Sequence, residues 1–222
     1  MLKIGIDDAG RGPVIGPMII AGCLIDDKDE KFLKELGVRD SKELTQKRRE
    51  FLEEKIKEKV ISFEISIISP SEIDESNARG LKLNELEAVH MAKVVNKLNV
   101  NSSSKIKLIV DCPSTTISKW KDFLKTKISD LSNLEVVCEH KADKNYPVVS
   151  AASILAKCER EREMEKLRKI YGEEIGTGYP ADPLTCRFLE KNVKKLKDKG
   201  IFRKTWETWK NAENNANQEK LF

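Results

Sequence analysis

Apolar residues recur along this chain in two rhythms. Residues 2–7 and 18–25 are short apolar runs of strand length, and the Gly/Pro-rich stretch 10–17 between them predicts a turn. Residues 61–69 alternate Ile61, Phe63, Ile65 and Ile67 with Ser62, Glu64 and Ser66, the two-residue period of a strand with one solvated face. Residues 105–111 and 134–139 add two further strands. Helical spacing appears at 29–36, ended by Gly37, and at 44–60, with Thr45 placed to cap the first turn. It recurs at 83–98, at 117–131 and at 147–171, where Pro147 suits the first turn. Residues 71–76 predict one helical turn, 171–183 a Gly/Pro-rich loop, and 183–199 and 204–215 two last helices. Strands come first, then strands alternating with helices, then helices alone. That order predicts an α/β fold, a mixed central sheet flanked by helices, with a helical C-terminal extension. The expected division is a domain over 1–183 and the extension over 184–222.

Composition adds little to this picture, and charge distribution adds more. The 222 residues are 39% hydrophobic and 35% charged, enough apolar content for a core beneath a densely ionic surface. Net charge is only +4. Between 187 and 210, however, nine Lys or Arg face three acids, so the remainder is slightly acidic. A basic end beside an acidic body suits a protein that grips a polyanion and keeps carboxylates elsewhere. The cysteines Cys23, Cys112, Cys138, Cys158 and Cys186 are odd in number and lack C-x-x-C spacing, which argues against a disulfide framework or zinc site. The start MLKIGID reads as a strand rather than a signal peptide, and no apolar run has the length of a membrane span, so a cytoplasmic protein is expected, with a monomer as the default state.

Candidate chemistry lies at strand ends. Asp7 and Asp8 close the first strand, Asp111 closes another, and Asp143 follows a third in HKADKNYP. Neighbouring carboxylates repel one another unless a cation compensates them. An all-oxygen donor set suits Mg2+ or Mn2+ rather than zinc. Consecutive strand residues point to opposite faces, so Asp7 and Asp8 serve one site only if the backbone turns there. Any one of these acids taken alone reads equally well as a cap or a surface charge. The Gly10-Arg11-Gly12-Pro13 segment lets backbone approach a ligand, yet it is neither a P-loop nor a dinucleotide fingerprint, since it leads into a strand.

GIDDAGRGPVIGPM at 5–18, DSKELT at 40–45, VDCPS at 110–114, HKADKNYPVVSAASILAK at 140–157 and GTGYPADP at 176–183 together resemble the type 2 ribonuclease H family, ribonuclease HII, and most closely its archaeal members. The five segments stand in that family's order and span most of the chain. The resemblance implies a ribonuclease H-like sheet whose first strands are antiparallel. It implies four catalytic, metal-binding carboxylates, Asp7, Asp8, Asp111 and Asp143, holding Mg2+ or Mn2+ as two ions. It implies that Gly10, Arg11 and Gly12 contact the ribonucleotide and sense its 2′-hydroxyl, the group that distinguishes RNA from DNA. Tyr179 matches a tyrosine that packs on the sugar at an RNA–DNA junction, and Lys42 a lysine that contacts phosphate. The implied substrates are RNA/DNA hybrids and DNA containing ribonucleotides, cut by metal-activated water to leave 3′-hydroxyl and 5′-phosphate ends.

One position departs from the family pattern: Asp8 stands where the family has Glu. The shorter side chain withdraws the carboxylate by about 1.5 Å, one C–C bond length. His90 and His140 read as structural, and Trp206 and Trp209 as packing of the last helix. The tail QEKLF at 218–222 matches half of a sliding-clamp-binding peptide but lacks its aromatic pair, so any clamp contact through it is expected to be weak. Two rival readings are a nuclease of the same fold acting on DNA, and a hybrid-binding protein that has lost catalysis.

Overall fold

The computed structural model describes residues 1–38, 44–100 and 104–218. In chain order the elements are β1 (Leu2–Ala9), β2 (Met18–Asp26), α1 (Glu30–Glu35), α2 (Gln46–Lys59), β3 (Ser62–Ile68), α3 (Pro70–Ala78) and α4 (Leu83–Leu98). They continue with β4 (Ile106–Asp111), α5 (Ile117–Lys125), β5 (Leu134–Glu139), α6 (Ala142–Asn145), α7 (Pro147–Tyr171), α8 (Pro183–Asn192) and α9 (Glu207–Gln218). The sheet order is β3-β2-β1-β4-β5. β1 runs antiparallel to β2, from Leu2 opposite Asp26 to Ala9 opposite Ile19. It runs parallel to β4, and β4 runs parallel to β5. This is the expected mixed sheet, and its topology brings the carboxyl ends of β1, β4 and β5 to one edge.

Local differences from the sequence reading have local causes. The single turn expected at 71–76 is the nine-residue α3, because the Ser69 hydroxyl accepts from the Glu72 N–H at 3.1 Å and Pro70 opens the helix. The helix expected to 131 stops at Lys125. Beyond it the Thr126 hydroxyl bonds the Phe123 carbonyl at 2.7 Å, and Asn96 Oδ1 takes the Ser129 N–H at 2.9 Å, so the chain turns. The helix expected to 199 ends at Asn192, and α6 forms between β5 and α7, where the sequence pattern assigns no element. Thr45 does cap α2, accepting from the Arg48 N–H at 3.3 Å.

The described chain forms two compact units. The first comprises Met1–Ala9, Ile19–Ser66 and Asn84–Glu159. β2 is buried along all but its last residue, so it is covered on both faces. Ile19, Ala21, Cys23 and Ile25 pack with Val148, Ala151, Ile154 and Leu155 of α7 and with Leu33, Leu52 and Ile56 of α1 and α2. Gly22, of opposite parity, packs against Val94 and Leu98 of α4. Residues 147–156 of α7 are buried all round, which the run of Ala and Ser in VVSAASILA permits. The second unit comprises Gly10–Met18, Ile67–Leu83 and Arg160–Phe222. Its core gathers Val14, Ile15, Ile175, Phe188, Leu189, Phe202 and Trp209, with the Phe202 and Trp209 rings 4.7 Å apart. All five cysteines are free, and burial pushes the Cys23 and Cys138 thiols up to about 12. No helix among the described residues is long and apolar enough to cross a membrane.

Candidate active site

The first unit brings the acids to the sheet edge. Ile6 pairs with Val110, so Asp7 and Asp111 each stand one residue beyond the last paired residues of the parallel β1–β4 ladder. Asp143 lies buried in the first turn of α6, shortly after β5 ends at Glu139. Asp7 is only 5% exposed. Burial raises its carboxyl well above the usual carboxylate range, and the charges of Asp8 and Asp111 raise it further. A hydrogen bond from Ser153 and one from the Asp8 N–H, at 2.8 Å from Asp7 Oδ1, work the other way. Burial also raises the Asp111 carboxyl, and Asp143 adds to it.

The backbone does not turn at Asp7-Asp8. β1 continues to Ala9 in regular register, Asp7 opposite Ala21 and Asp8 opposite Ile20. The two side chains therefore leave on opposite faces, Asp7 buried and Asp8 half-buried. Asp111 is oriented instead by the start of α6. Lys141 is left-handed at φ 58. In that conformation the N–H groups of Lys141 and Ala142 both reach the Asp111 carboxylate, the latter at 3.1 Å, a small backbone nest for an anion. His140 bonds the Cys112 carbonyl at 3.0 Å, the structural role expected of it.

Among the described residues no three His, Cys, Asp or Glu side chains close on a single point. The fit to a divalent cation is one of chemistry and charge: hard oxygen donors, and a buried carboxylate repelled by its neighbours. Asp7, Asp111 and Asp143 are the residues that would hold it from this edge; Asp8, which the resemblance adds to them, stands on the other face of β1, without the backbone turn expected there, and acts on Asp7 through its charge.

The second unit holds the Gly10–Gly12 turn and the loop that carries Tyr179. The Gly10–Gly12 turn is fastened from its carbonyl side. Arg203, fully buried, donates to the carbonyls of Gly10 at 2.6 Å, Arg11 at 2.8 Å and Gly16 at 3.1 and 3.0 Å. Trp206 Nε1 donates to the Gly12 carbonyl at 3.1 Å, and the Arg203 guanidinium stacks on the Trp206 ring at 5.0 Å. Arg203 counts among the basic residues expected to grip a polyanion, and the structure corrects that expectation: its charge is spent inside the fold. Trp206 likewise does more than pack α9. Lys191, Lys194, Lys195, Lys197 and Lys199 lie on or near the surface of the same stretch.

Tyr179 projects from a loop locked by Asp182. The Asp182 carboxylate accepts from Thr177 N at 2.7 Å and Thr177 Oγ1 at 2.8 Å while capping α8 through Leu184 N at 2.9 Å. These donors hold its carboxyl below the usual range, the Thr177 N–H foremost. Tyr179 is 41% exposed, and its ring lies beside Gly12. Its position next to Gly12 is not legible in the motifs, and neither are the roles of Arg203, Asp182 and Ser153. Lys42 lies outside the described residues.

Gly10 and Gly12 differ in what a side chain would meet. At Gly10 (φ 79) a Cβ would stand 2.4 Å from Arg160 Cδ and Nε and 2.9 Å from the Pro17 carbonyl. At Gly12 it would make ordinary contact with the Tyr179 ring at 3.7 Å. Gly10→Ala is therefore expected to destabilise the fold by about 2–4 kcal/mol. Gly12→Ala should melt within a few degrees of the parent, because its methyl meets only the Tyr179 ring at ordinary contact distance. Urea unfolding of the two variants checks this contrast; equal stability losses would contradict it.

The family model for ribonuclease HII matches residues 4–209. The chain is 43% identical over 233 residues to a ribonuclease HII of Methanocaldococcus jannaschii, covering 100% of this chain and 99% of that protein. The crystal structure of the ribonuclease H2 from Pyrococcus horikoshii OT3 is similar at a TM-score of 0.87 and 40% identity, covering 98% of this chain and 100% of that one. Ribonuclease HII from Archaeoglobus fulgidus, solved as a complex with PCNA, is similar at a TM-score of 0.81 and 37% identity, covering 93% of this chain and 96% of that one.

Proposed function

The chain belongs to the ribonuclease HII family, endoribonucleases that cleave the RNA of RNA/DNA hybrids, and on that premise we propose that it also cuts on the 5′ side of single ribonucleotides embedded in duplex DNA. The products in this reading are 3′-hydroxyl and 5′-phosphate ends. The observation that carries it is the crowding of Asp7 by Asp8 and Asp111 at the edge where parallel strands end. Asp7, Asp8, Asp111 and Asp143 would hold Mg2+ or Mn2+, as two ions. Such ions, when bound, activate water and stabilise the leaving oxygen of a phosphodiester displacement.

The protein's own residues supply position and selection. Ser153 and the Asp8 N–H fix the Asp7 carboxylate, and the Lys141–Ala142 nest fixes that of Asp111. Gly10, Arg11 and Gly12 contact the ribonucleotide in this reading, Tyr179 packs on the sugar at the junction, and Lys42 contacts phosphate. The lysines of 191–199 attract the backbone, so binding weakens steeply with salt. In this reading catalysis is assigned to residues 1–183 and a supporting role to 184–222, a functional division that differs from the two compact units. By analogy with the Archaeoglobus fulgidus complex, a weak sliding-clamp contact is proposed for the tail, whose residues 219–222 lie outside the described ones.

The test uses a labelled DNA duplex with one ribonucleotide, an RNA/DNA hybrid and an all-DNA duplex, each with Mg2+, Mn2+ or EDTA. Metal-dependent cutting 5′ of the ribonucleotide, absent from the all-DNA duplex, is expected. Cutting of all-DNA would favour the DNA-nuclease reading, and binding without cutting the non-catalytic one. In the same assay Asp8→Glu is expected to raise turnover in Mg2+ by about tenfold and to narrow any advantage of Mn2+, since it restores about 1.5 Å of reach. An unchanged rate and metal preference would show that Asp8 already reaches its ion.

A further inference from the structure

Arg160 lies in the second unit on α7, outside all five sequence motifs. It is 8% exposed. Its Nη2 donates to the Thr177 carbonyl at 2.9 Å, and its guanidinium carbon sits 5.0 Å from the centroid of the Tyr179 ring. Its Cδ and Nε lie so close under Gly10 that a Cβ there would stand 2.4 Å from both. Nε is buried and meets no hydrogen-bond acceptor, and no carboxylate among the described residues comes within ion-pair distance. A single planar cation thus touches the turn at Gly10, the loop at Thr177 and the exposed ring of Tyr179.

A buried guanidinium without a carboxylate is costly unless something else compensates it. Here a carbonyl and an aromatic face do so in part. Arginine suits the place because its plane can stack while its edge donates; a lysine ammonium would keep the charge and lose both the plane and the fork. We propose that Arg160 is a positioning residue for ribose selection, holding the Tyr179 ring and the Gly10–Gly12 turn in one fixed register. It acts through those two segments, and its only partly compensated charge draws the polyanionic strand toward them. The inference rests on the reading of Tyr179 and Gly10–Gly12 as substrate-contacting.

The test is a double-mutant cycle on the full chain with Arg160→Lys, Arg160→Met and Tyr179→Ala. Separate kcat and KM values would be measured for a duplex containing one ribonucleotide and for a long RNA/DNA hybrid. Arg160→Met is expected to lower kcat/KM on the single ribonucleotide about tenfold more than on the hybrid, mostly through KM. Arg160→Lys should recover the salt dependence of binding but not that preference. In a Tyr179→Ala background, Arg160→Met should cost clearly less than in the parent, the remainder being its share in holding the turn. Equal losses on both substrates, additive with Tyr179→Ala, would make Arg160 a packing residue and overturn the inference. If the Met variant does not fold, the Lys variant and its own cycle with Tyr179→Ala separate the same two outcomes. A parent enzyme that fails to cut at single ribonucleotides would sink the proposed function and this inference together; a selective parent with additive variants would sink the inference alone.

Discussion

Asp7→Asn is expected to abolish cleavage and, in the absence of divalent cations, to stabilise the protein at neutral pH. The first half follows from its place among the acids: removing one charged group from such a set typically costs a thousandfold or more, so a loss of at least about 10³ is expected. The second half follows from the repulsion it suffers. Burial, Asp8 and Asp111 all raise its folded pKa above the ordinary carboxylate value. Between those two values the folded state binds more protons than the unfolded one, so stability falls as pH rises through that window and stays reduced above it. Asparagine carries no charge and still offers Oδ1 to the Asp8 N–H. The gain at pH 8 should be on the order of 1–3 kcal/mol, the usual cost of a poorly compensated buried polar group. It should vanish at low pH, and Mg2+ or Mn2+ should narrow it by stabilising the parent. Thermal melts of both proteins in EDTA and in metal, at acid and slightly alkaline pH, decide the matter. An Asn variant that melts lower than the parent in EDTA at pH 8 would contradict the account.

Arg203→Ala should be the most damaging change in the second unit. The guanidinium is fully buried and serves three carbonyls with four hydrogen bonds, while stacking on Trp206. Its removal leaves the Gly10, Arg11 and Gly16 carbonyls without those donors and opens a cavity, at an expected cost of about 3–5 kcal/mol. Arg203→Lys keeps the charge but cannot fork to three acceptors, and a loss of about 2 kcal/mol is expected. Both should weaken binding to ribonucleotide-containing duplex by more than they weaken binding to plain DNA, because the turn they release is the proposed ribose reader. Urea unfolding with paired binding titrations gives the result. A lysine variant as stable and as selective as the parent would show that the clamp is dispensable.

Which parts of this arrangement the sequence discloses follows from what each residue leaves as a trace. Asp7 and Asp111 are visible because each ends an apolar run, and parallel pairing of those runs brings their ends together. Strand and helix identities are legible where their periods are long and regular, as in the helix Leu83–Leu98 and the strand Leu134–Glu139. Expectation and structure part where a polar contact ends an element whose rhythm continues. The residues after Lys125 keep a helical look, but Asn96, distant in sequence, captures the next turn. The left-handed Lys141 has no compositional signature, so neither α6 nor the nest under Asp111 can be foreseen. Asp8 is legible as an acid but not as a strand residue of regular register, because Gly10 and Gly12 suggest that the turn begins earlier. Arg203 enters the sequence pattern by its charge alone, and a charge count carries no information about depth; its aromatic neighbours Phe202 and Trp206 are the one hint that it is enclosed.

The clamp on the Gly-Arg-Gly turn spans 193 residues of sequence. On a translating ribosome the turn emerges long before its fastener. A nascent or prematurely terminated chain that stops short of Arg203 carries Asp7, Asp8, Asp111 and Asp143 but lacks the guanidinium that holds the carbonyls of Gly10 and Arg11. Contacts of such long sequence separation close late in folding. The Gly-Arg-Gly turn is therefore fastened only once synthesis has passed Arg203, after all four acids have emerged.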